Sequence, residues 1–494
     1  MRKKLPIFYS AIMLTGVNLM LRFVATSFQV FLSGRIGAAG IGLLQLVLSV
    51  GTLSMTAGIA GVRTATMYLT AEELGKKRPE NVRWVLSGCF LYSIGCSGMV
   101  ALGLHLFAPA IARYWIGNPE TADAIRLYGC FVPVSCLCGV LTGYFTAANR
   151  IATLAAVEVA EQLFSMAITM AFLTLWAGSN PVAACQSVIL GSGVSTCLTL
   201  CCLIVLRLRE HTRAGQPISI RSRLLQTAVP LALADDLKAG ISTTENLMVP
   251  KRLSLYPGTE DPLSAFGTVC GMVFPVLMFP AAILFGLAEL LIPELARCAA
   301  AGSQMRIRYL VKRGLRVALL YGCCFCGLEF LLSQPLCTAL YSNADAGSYL
   351  KLYALLIPML YCDALTDAMT KGLGQQKACV RYNIITSSMD VIFLYILLPR
   401  YGMMGYFFSF LVTHLLNFIL SLRRLLKIVG NVISPSVPVL AGACTAAAIF
   451  AASFLSSPLL RCGAYLIILW CLLFLTRVIG KEDILWTKGL ISKK

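Results

Sequence analysis

The sequence predicts an all-α, polytopic membrane protein with 14 transmembrane helices, and three observations carry that prediction. Hydrophobic residues make up 58% of the 494 and charged ones 13%, at a mean hydropathy of +0.79, whereas soluble domains are nearer a quarter charged. The apolar residues form runs of about 20, the number that crosses a hydrocarbon core of about 30 Å at 1.5 Å each. The basic residues concentrate in alternate connections between those runs. A soluble enzyme is excluded, and the alternating pattern that a membrane barrel needs is missing.

The first run, residues 6–30, follows Arg2, Lys3 and Lys4. Such a start resembles the basic end of a signal peptide. The run is too long for one, has no small-residue cleavage site and is followed by thirteen more, so it is expected to be retained. Runs at 39–66, 84–107, 126–147, 152–177 and 180–206 complete a first set of six. A second set of six follows at 224–250, 263–290, 310–332, 349–370, 379–398 and 403–422, and runs at 435–456 and 460–478 end the series. Basic residues recur in every second connection: Lys76, Lys77, Arg78 and Arg83; Arg150; Arg207, Arg209, Arg213, Arg221 and Arg223; Arg297, Arg306, Arg308, Lys312 and Arg313; Lys371, Lys377 and Arg381; Arg423, Arg424 and Lys427. With the two termini this side holds 29 of the 41 basic residues, against eight on the other. Both termini are therefore expected in the cytoplasm. The net charge of +19, which in a soluble chain would point to nucleic acid, reports topology here, and no nucleic-acid partner is expected. The 20 cysteines lie scattered in apolar runs without metal-ligand or disulfide spacing and read as small packing residues.

One internal shift recurs along the chain, as expected of a transporter built from two related halves. Gly75 and Gly302 each end a helix before a basic restart, and they lie 227 residues apart; Arg150 and Lys377 follow tight turns at the same shift. Pro133 and Pro358, each near mid-run, are 225 apart. Six runs per half give repeats of one orientation, related by an axis along the membrane normal. The chain then divides into 1–210, 211–430, and a 431–494 segment with two extra helices and a cytoplasmic tail.

Ionisable residues inside the runs mark candidate sites, because each costs roughly 2.5 to 3.5 kcal/mol at the centre of a lipid-facing helix. Run seven carries Asp235, Asp236 and Lys238, which must face protein or water; Asp235 and Lys238, three apart, are placed to pair on one face, and Pro230 before them is placed to kink the helix. Arg22, deep in the first run, is the first candidate for meeting an anionic substrate, and Arg63 near the inner end of the second is another. Glu158 and Glu161 are three apart in run five, and two like charges in low dielectric suit a proton-carrying site. Asp390 has a similar depth in the second half, while Asp363, Asp367 and Glu289 lie nearer the inner surface and are expected to be solvated. His414 is the histidine buried in a run. No Walker A stretch, metal-ligand cluster or nucleophile motif occurs. The chain thus reads as a non-enzyme with no cofactor and no metal, driven by an ion gradient, the membrane potential or substrate supply.

Two further stretches carry a family resemblance. Gly372-Leu-Gly-Gln-Gln-Lys377, then Leu398-Pro-Arg-Tyr-Gly-Met-Met-Gly-Tyr406, resembles the pattern of the polysaccharide-transport branch of the multidrug/oligosaccharidyl-lipid/polysaccharide (MOP) flippase superfamily. Gly143-Tyr-Phe with Arg150, Glu161-Gln162, and Val249-Pro-Lys-Arg-Leu253 look more specifically like the stage V sporulation protein B (SpoVB) group, relatives of the lipid II flippase MurJ. The resemblance implies an N-lobe, a C-lobe, two extra helices and alternating access to a cationic cavity. It implies a polyprenyl-diphosphate-linked saccharide as substrate: a lipid-linked oligosaccharide or a lipid II-like precursor of peptidoglycan, spore cortex or polysaccharide. It also implies a bacterial cytoplasmic membrane, with membrane lipids and a coupling ion, H⁺ or Na⁺, as partners. Arg22 takes the place of the first arginine such flippases carry in span one; where they carry a second, this chain has the uncharged Phe28 and Gln29. On this reading Arg22, Arg63 and Lys238 contact the diphosphate, and Glu158, Glu161, Asp235 and Asp236 set the cavity charge or couple an ion. The alternative within the same architecture is a MATE-type cation-coupled multidrug exporter.

Overall fold

The computed structural model describes residues 7–76, 78–178, 180–209, 220–432, 434 and 436–478. The basic residues Arg2, Lys3, Lys4, Lys77, Arg213, Lys481, Lys488, Lys493 and Lys494 counted above lie outside these. All fourteen predicted runs fall on helix, and among the described residues there is no strand. Runs one and two share α1 (Ile7–Ile59), 53 residues in which two helical parts meet at a kink. Its one non-helical residue is Gly37, at φ 68°, where the left-handed backbone favours glycine. Residues 1–34 and 268–494 cluster as one compact unit, and 35–267 as another.

The 35–267 unit holds the second part of α1, then α2 (Val62–Gly75), α3 (Val82–Ala110), α4 (Ala122–Ala147), α5 (Ile151–Phe172), α6 (Pro181–Leu208) and α7 (Arg221–Leu253). Its core joins Val62 and Leu69 of α2, Val85 of α3, Val140 of α4, Leu203 of α6, and Leu224 and Ala228 of α7. Asn180 caps α6 ahead of Pro181, its side chain accepting from the Val182 amide at 2.9 Å, so that a proline with no N–H and a capped first turn leave few orphan donors. On α3, Leu91, Met99 and Leu106 are 66 to 75% exposed, an apolar face suited to lipid.

The other unit begins with the first part of α1 and takes up the chain again at the end of α8 (Pro262–Thr268). It continues with α9 (Phe274–Leu277), α10 (Ala281–Ala300), α11 (Gln304–Tyr341), α12 (Ala344–Ala354), α13 (Ile357–Gly372), α14 (Gln376–Tyr401) and α15 (Met403–Val429), and ends with α16 (Ser436–Ser453) and α17 (Pro458–Leu475). One core joins α10, α11, α13 and α15 through Leu295, Val311, Leu365 and Leu425. A second sets α16 and α17 on α11, where the Tyr465 hydroxyl donates to the Cys323 carbonyl at 2.6 Å.

By length and composition ten helical stretches suit membrane spans, or twelve if each of two bent pairs is one span. The stretch Leu19–Gly75, at 57 residues, is long enough to cross twice, and α7 falls short by that measure because of its charged residues, which brings the total to the fourteen expected. All 20 cysteines are unpaired, eleven of them buried, as small packing residues should be. Packing divides the chain differently from the repeat: α7 groups with 35–267 because Leu224 and Ala228 enter that core, and α16 and α17 share a unit with α11.

Candidate functional site

Within the 35–267 unit, α1 stops at Ile59 and α2 restarts at Val62, towards the end of predicted run two, 39–66. Gly61 has φ 70°, and a Cβ there would lie 2.4 Å from the Ala228 carbonyl oxygen, so glycine alone lets α7 come this close. A break at membrane depth strands backbone groups that lipid cannot satisfy. Tyr92 of α3 answers one of them, its hydroxyl donating to the Ala60 carbonyl at 3.2 Å. The start of α2 has no side-chain cap, and its first amides, at the positive end of the helix dipole, border a cavity of about 430 Å³.

Three elements line this cavity: Thr52, Thr56 and Ile59 of α1; Gly61, Arg63 and Thr64 around the restart; and Asp235, Lys238, Ala239 and Ser242 of α7. The α7 residues recur at helical spacing and so share one face. Two hydrogen bonds fix that face against α1, from Thr243 to the Ser49 carbonyl and from Asn246 to the Ser49 hydroxyl, each 3.0 Å. α7 runs through Pro230 as one helix. The pairing that the spacing of Asp235 and Lys238 suggested does not form: no ion pair within 4.0 Å joins them among the described residues, although both are exposed and both border the cavity. Spacing brings such groups within reach, but hydration by an open cavity competes with the contact.

Arg63 has a partner, Glu158 of α5, at 3.9 Å, with both side chains more than half exposed. Glu161 looks elsewhere. Its carboxylate accepts from Thr196 of α6 at 2.8 Å and its backbone carbonyl from Ser195 at 2.7 Å. The two glutamates therefore have separate partners rather than one shared site. Asp236 is not among the cavity residues; its Oδ1 is buried and has no hydrogen-bond partner among the described residues. Arg22 belongs to the other unit, half-buried, where it donates to the Met278 carbonyl at 3.3 Å.

That carbonyl belongs to another broken span. The helical stretches Pro262–Leu277 and Ala281–Ala300 are bent by 63° across Met278–Pro280, and side chains take up the freed carbonyls: Tyr361 donates to Leu277 at 3.1 Å, Arg22 to Met278, and Tyr321 to Pro280 at 2.8 Å. Runs two and eight are each interrupted, but at the 227-residue shift Gly61 falls at 288 rather than at 278–280, and a further bent pair, Ala344–Ala354 with Ile357–Gly372 at 60°, lies in run ten. Nearby Asp363, expected to be solvated, is instead half-buried; Asn417 donates to both of its oxygens at 3.2 Å, and it borders a cavity of about 180 Å³ with Tyr361 and His414. Asp390 is buried and accepts from Ser409 and Thr413. Among the described residues no group of three or more His, Cys, Asp or Glu is placed to hold a metal.

Sequence reasoning missed the break at Ala60–Gly61 and the hydroxyls of Thr52, Thr56, Thr64 and Ser242. The available signal was Gly58 and Gly61 inside an apolar run. It also missed Glu329 of α11, 5% exposed, whose carboxylate has no partner among the described residues.

An all-helical fold with ten to twelve helical stretches suited to membrane spans, interrupted spans and a charged cavity is the architecture expected of a membrane transporter, and comparison with known proteins shows the same fold. Residues 14–168 match the MatE family model. In fold the chain is similar to the lipid II flippase MurJ in an inward closed conformation, with a TM-score of 0.68 at 12% identity over 94% of this chain and 99% of that one. It is likewise similar to an inward-facing multidrug resistance MATE family transporter of the MOP superfamily, at 0.65 and 14% over 85% and 98%. The fold is that of the MOP transporters. In sequence the chain resembles stage V sporulation protein B of Bacillus subtilis (strain 168), 21% identical over 415 residues, 80% of this chain and 78% of that one.

Proposed function

We propose that this chain is a flippase that moves a polyprenyl-diphosphate-linked saccharide from the cytoplasmic to the outer leaflet of the bacterial cytoplasmic membrane by alternating access. The observation that carries this reading is the cavity where Arg63, Lys238 and the uncapped start of α2 meet. A diphosphate needs fixed cations and free amides in a wet site. Arg63 is held by one long, exposed pair and exchanges Glu158 for a doubly charged anion at little cost. Lys238, with no ion pair among the described residues, supplies a second cation, and the hydroxyls of Thr52, Thr56, Thr64 and Ser242 supply polar contacts. Arg22, in the other unit, keeps further guanidinium donors beyond the one it gives to Met278, and it remains a proposed anion contact of that unit. Glu158, Glu161, Asp235 and Asp236 balance the charge or couple H⁺ or Na⁺. The similarity to SpoVB and to the fold of MurJ supports the same reading.

The test is depletion of the protein in its own bacterium. Lipid-linked saccharide intermediates are expected to accumulate on the cytoplasmic side and to disappear when the wild-type chain, but not an Arg63→Ala/Lys238→Ala double variant, is restored. Normal intermediate levels on depletion would overturn the assignment. Two observations favour a second reading, cation-coupled multidrug export: Asp235 borders the same cavity, and the MatE model covers residues 14–168. That reading requires depletion to raise drug susceptibility while leaving the intermediates unchanged.

A further inference from the structure

We propose a second anion site at the start of α14, a pocket that takes a phosphate group, either the headgroup of an anionic phospholipid or a free phosphate ion. The pocket is about 550 Å³ and is bordered by Gly374, Gln375, Lys377, Arg381, Tyr382 and Arg424. Three cations converge on it and, among the described residues, no carboxylate borders it. Lys377 and Arg381 are four residues apart on one helix face, both exposed, with no acidic partner among the described residues. Like charges at that spacing repel, and a bound anion reverses the sign of the interaction. Arg424 reaches across from α15, its Nε and Nη2 both donating to the Gln375 side-chain oxygen. A neutral acceptor thus holds the guanidinium in place while leaving its charge uncompensated.

The nearby acids are engaged elsewhere. Asp367 pairs with Lys371 at 2.6 Å, and Asp363 is bonded by Asn417. The backbone adds to the attraction. Gly374 turns the chain at φ 77°, and the 26-residue α14 presents its positive end and its first amides beside the three side chains. Arginine and lysine around a helix start suit the tetrahedral oxygens of a phosphate. The charge bias of the sequence assigns this connection to the cytoplasmic side, where anionic headgroups attract such clusters. The site is independent of the transported cargo, and its test contains no transport step.

The purified full-length chain in detergent is titrated with phosphatidylglycerol, with phosphatidylcholine, and with inorganic phosphate, and occupancy is read by native mass spectrometry for the lipids and calorimetry for the ion. A Lys377→Gln/Arg381→Gln variant, in which both exposed cations lose charge, is expected to bind phosphatidylglycerol roughly tenfold more weakly, with phosphatidylcholine unaffected and the wild-type affinity falling with salt. Loss confined to inorganic phosphate assigns the pocket to the free ion and still supports it. Lys377→Gln alone, expected to lose roughly threefold, serves if the double variant misfolds, and Arg297→Gln is the control that leaves binding intact. Equal affinity of wild type and variant for both phosphatidylglycerol and inorganic phosphate overturns the proposal.

Discussion

Two residues two positions apart on either side of a helix restart separate stability from function. The Arg63–Glu158 pair spans 3.9 Å between half-exposed groups, a contact worth at most about 1 kcal/mol. Arg63→Ala is therefore expected to leave the thermal unfolding midpoint in detergent unchanged and to abolish complementation of a depleted strain. Gly61 is the reverse case. An alanine there takes a left-handed backbone and sets its Cβ 2.4 Å from the Ala228 carbonyl oxygen. We expect Gly61→Ala to cost about 1 to 3 kcal/mol in backbone strain plus the displacement of α7. The readout is a lowered unfolding midpoint and reduced yield of folded protein; an unchanged midpoint would mean that the break is not fixed by this contact.

The helices were legible in the sequence because the bilayer imposes one length and one chemistry on every span. Their interruptions were not. Ile59, Ala60 and Gly61 read as part of an apolar run, and what breaks the helix is a contact with α7 and a hydroxyl from Tyr92, both remote in sequence. The site was legible in part for the same reason. Charges stand out in apolar runs, so Arg63, Asp235, Lys238 and Glu158 could be named as candidates, yet only packing shows that the first three border one cavity, that Glu161 turns to Thr196 and that Asp236 is not among the cavity residues. Arg223 is the clearest case at the level of elements: it reads as one more basic loop residue, but it ties the start of α7 to the end of α2 through Glu72 and Glu73 at 2.5 and 3.0 Å. Glu73 is 3% exposed and also accepts from Asn81 at 2.9 Å. Removing the guanidinium leaves a buried carboxylate short of a charged partner, so Arg223→Ala is expected to lose roughly 2 kcal/mol in helical-signal melts. Arg223→Lys should recover part of it.

For the whole molecule, the basic residues make a statement about topology that packing cannot make. Reporter proteins that fluoresce only in the cytoplasm should be active when fused at either end of the chain, and a periplasm-dependent phosphatase fused in the 117–120 or 256–260 connections should be active there. Opposite results would invert the orientation and move the α14 pocket to the outer face. The central claim concerns the charge that the cavity accepts, and direct binding tests it most closely: titration of the purified chain with a short-chain polyprenyl diphosphate. The account predicts saturable binding that weakens at least about tenfold in the Arg63→Ala/Lys238→Ala variant, two charge-assisted contacts having been removed. Equal affinity in the variant, or tighter binding of a lipophilic cation than of the diphosphate, would contradict it.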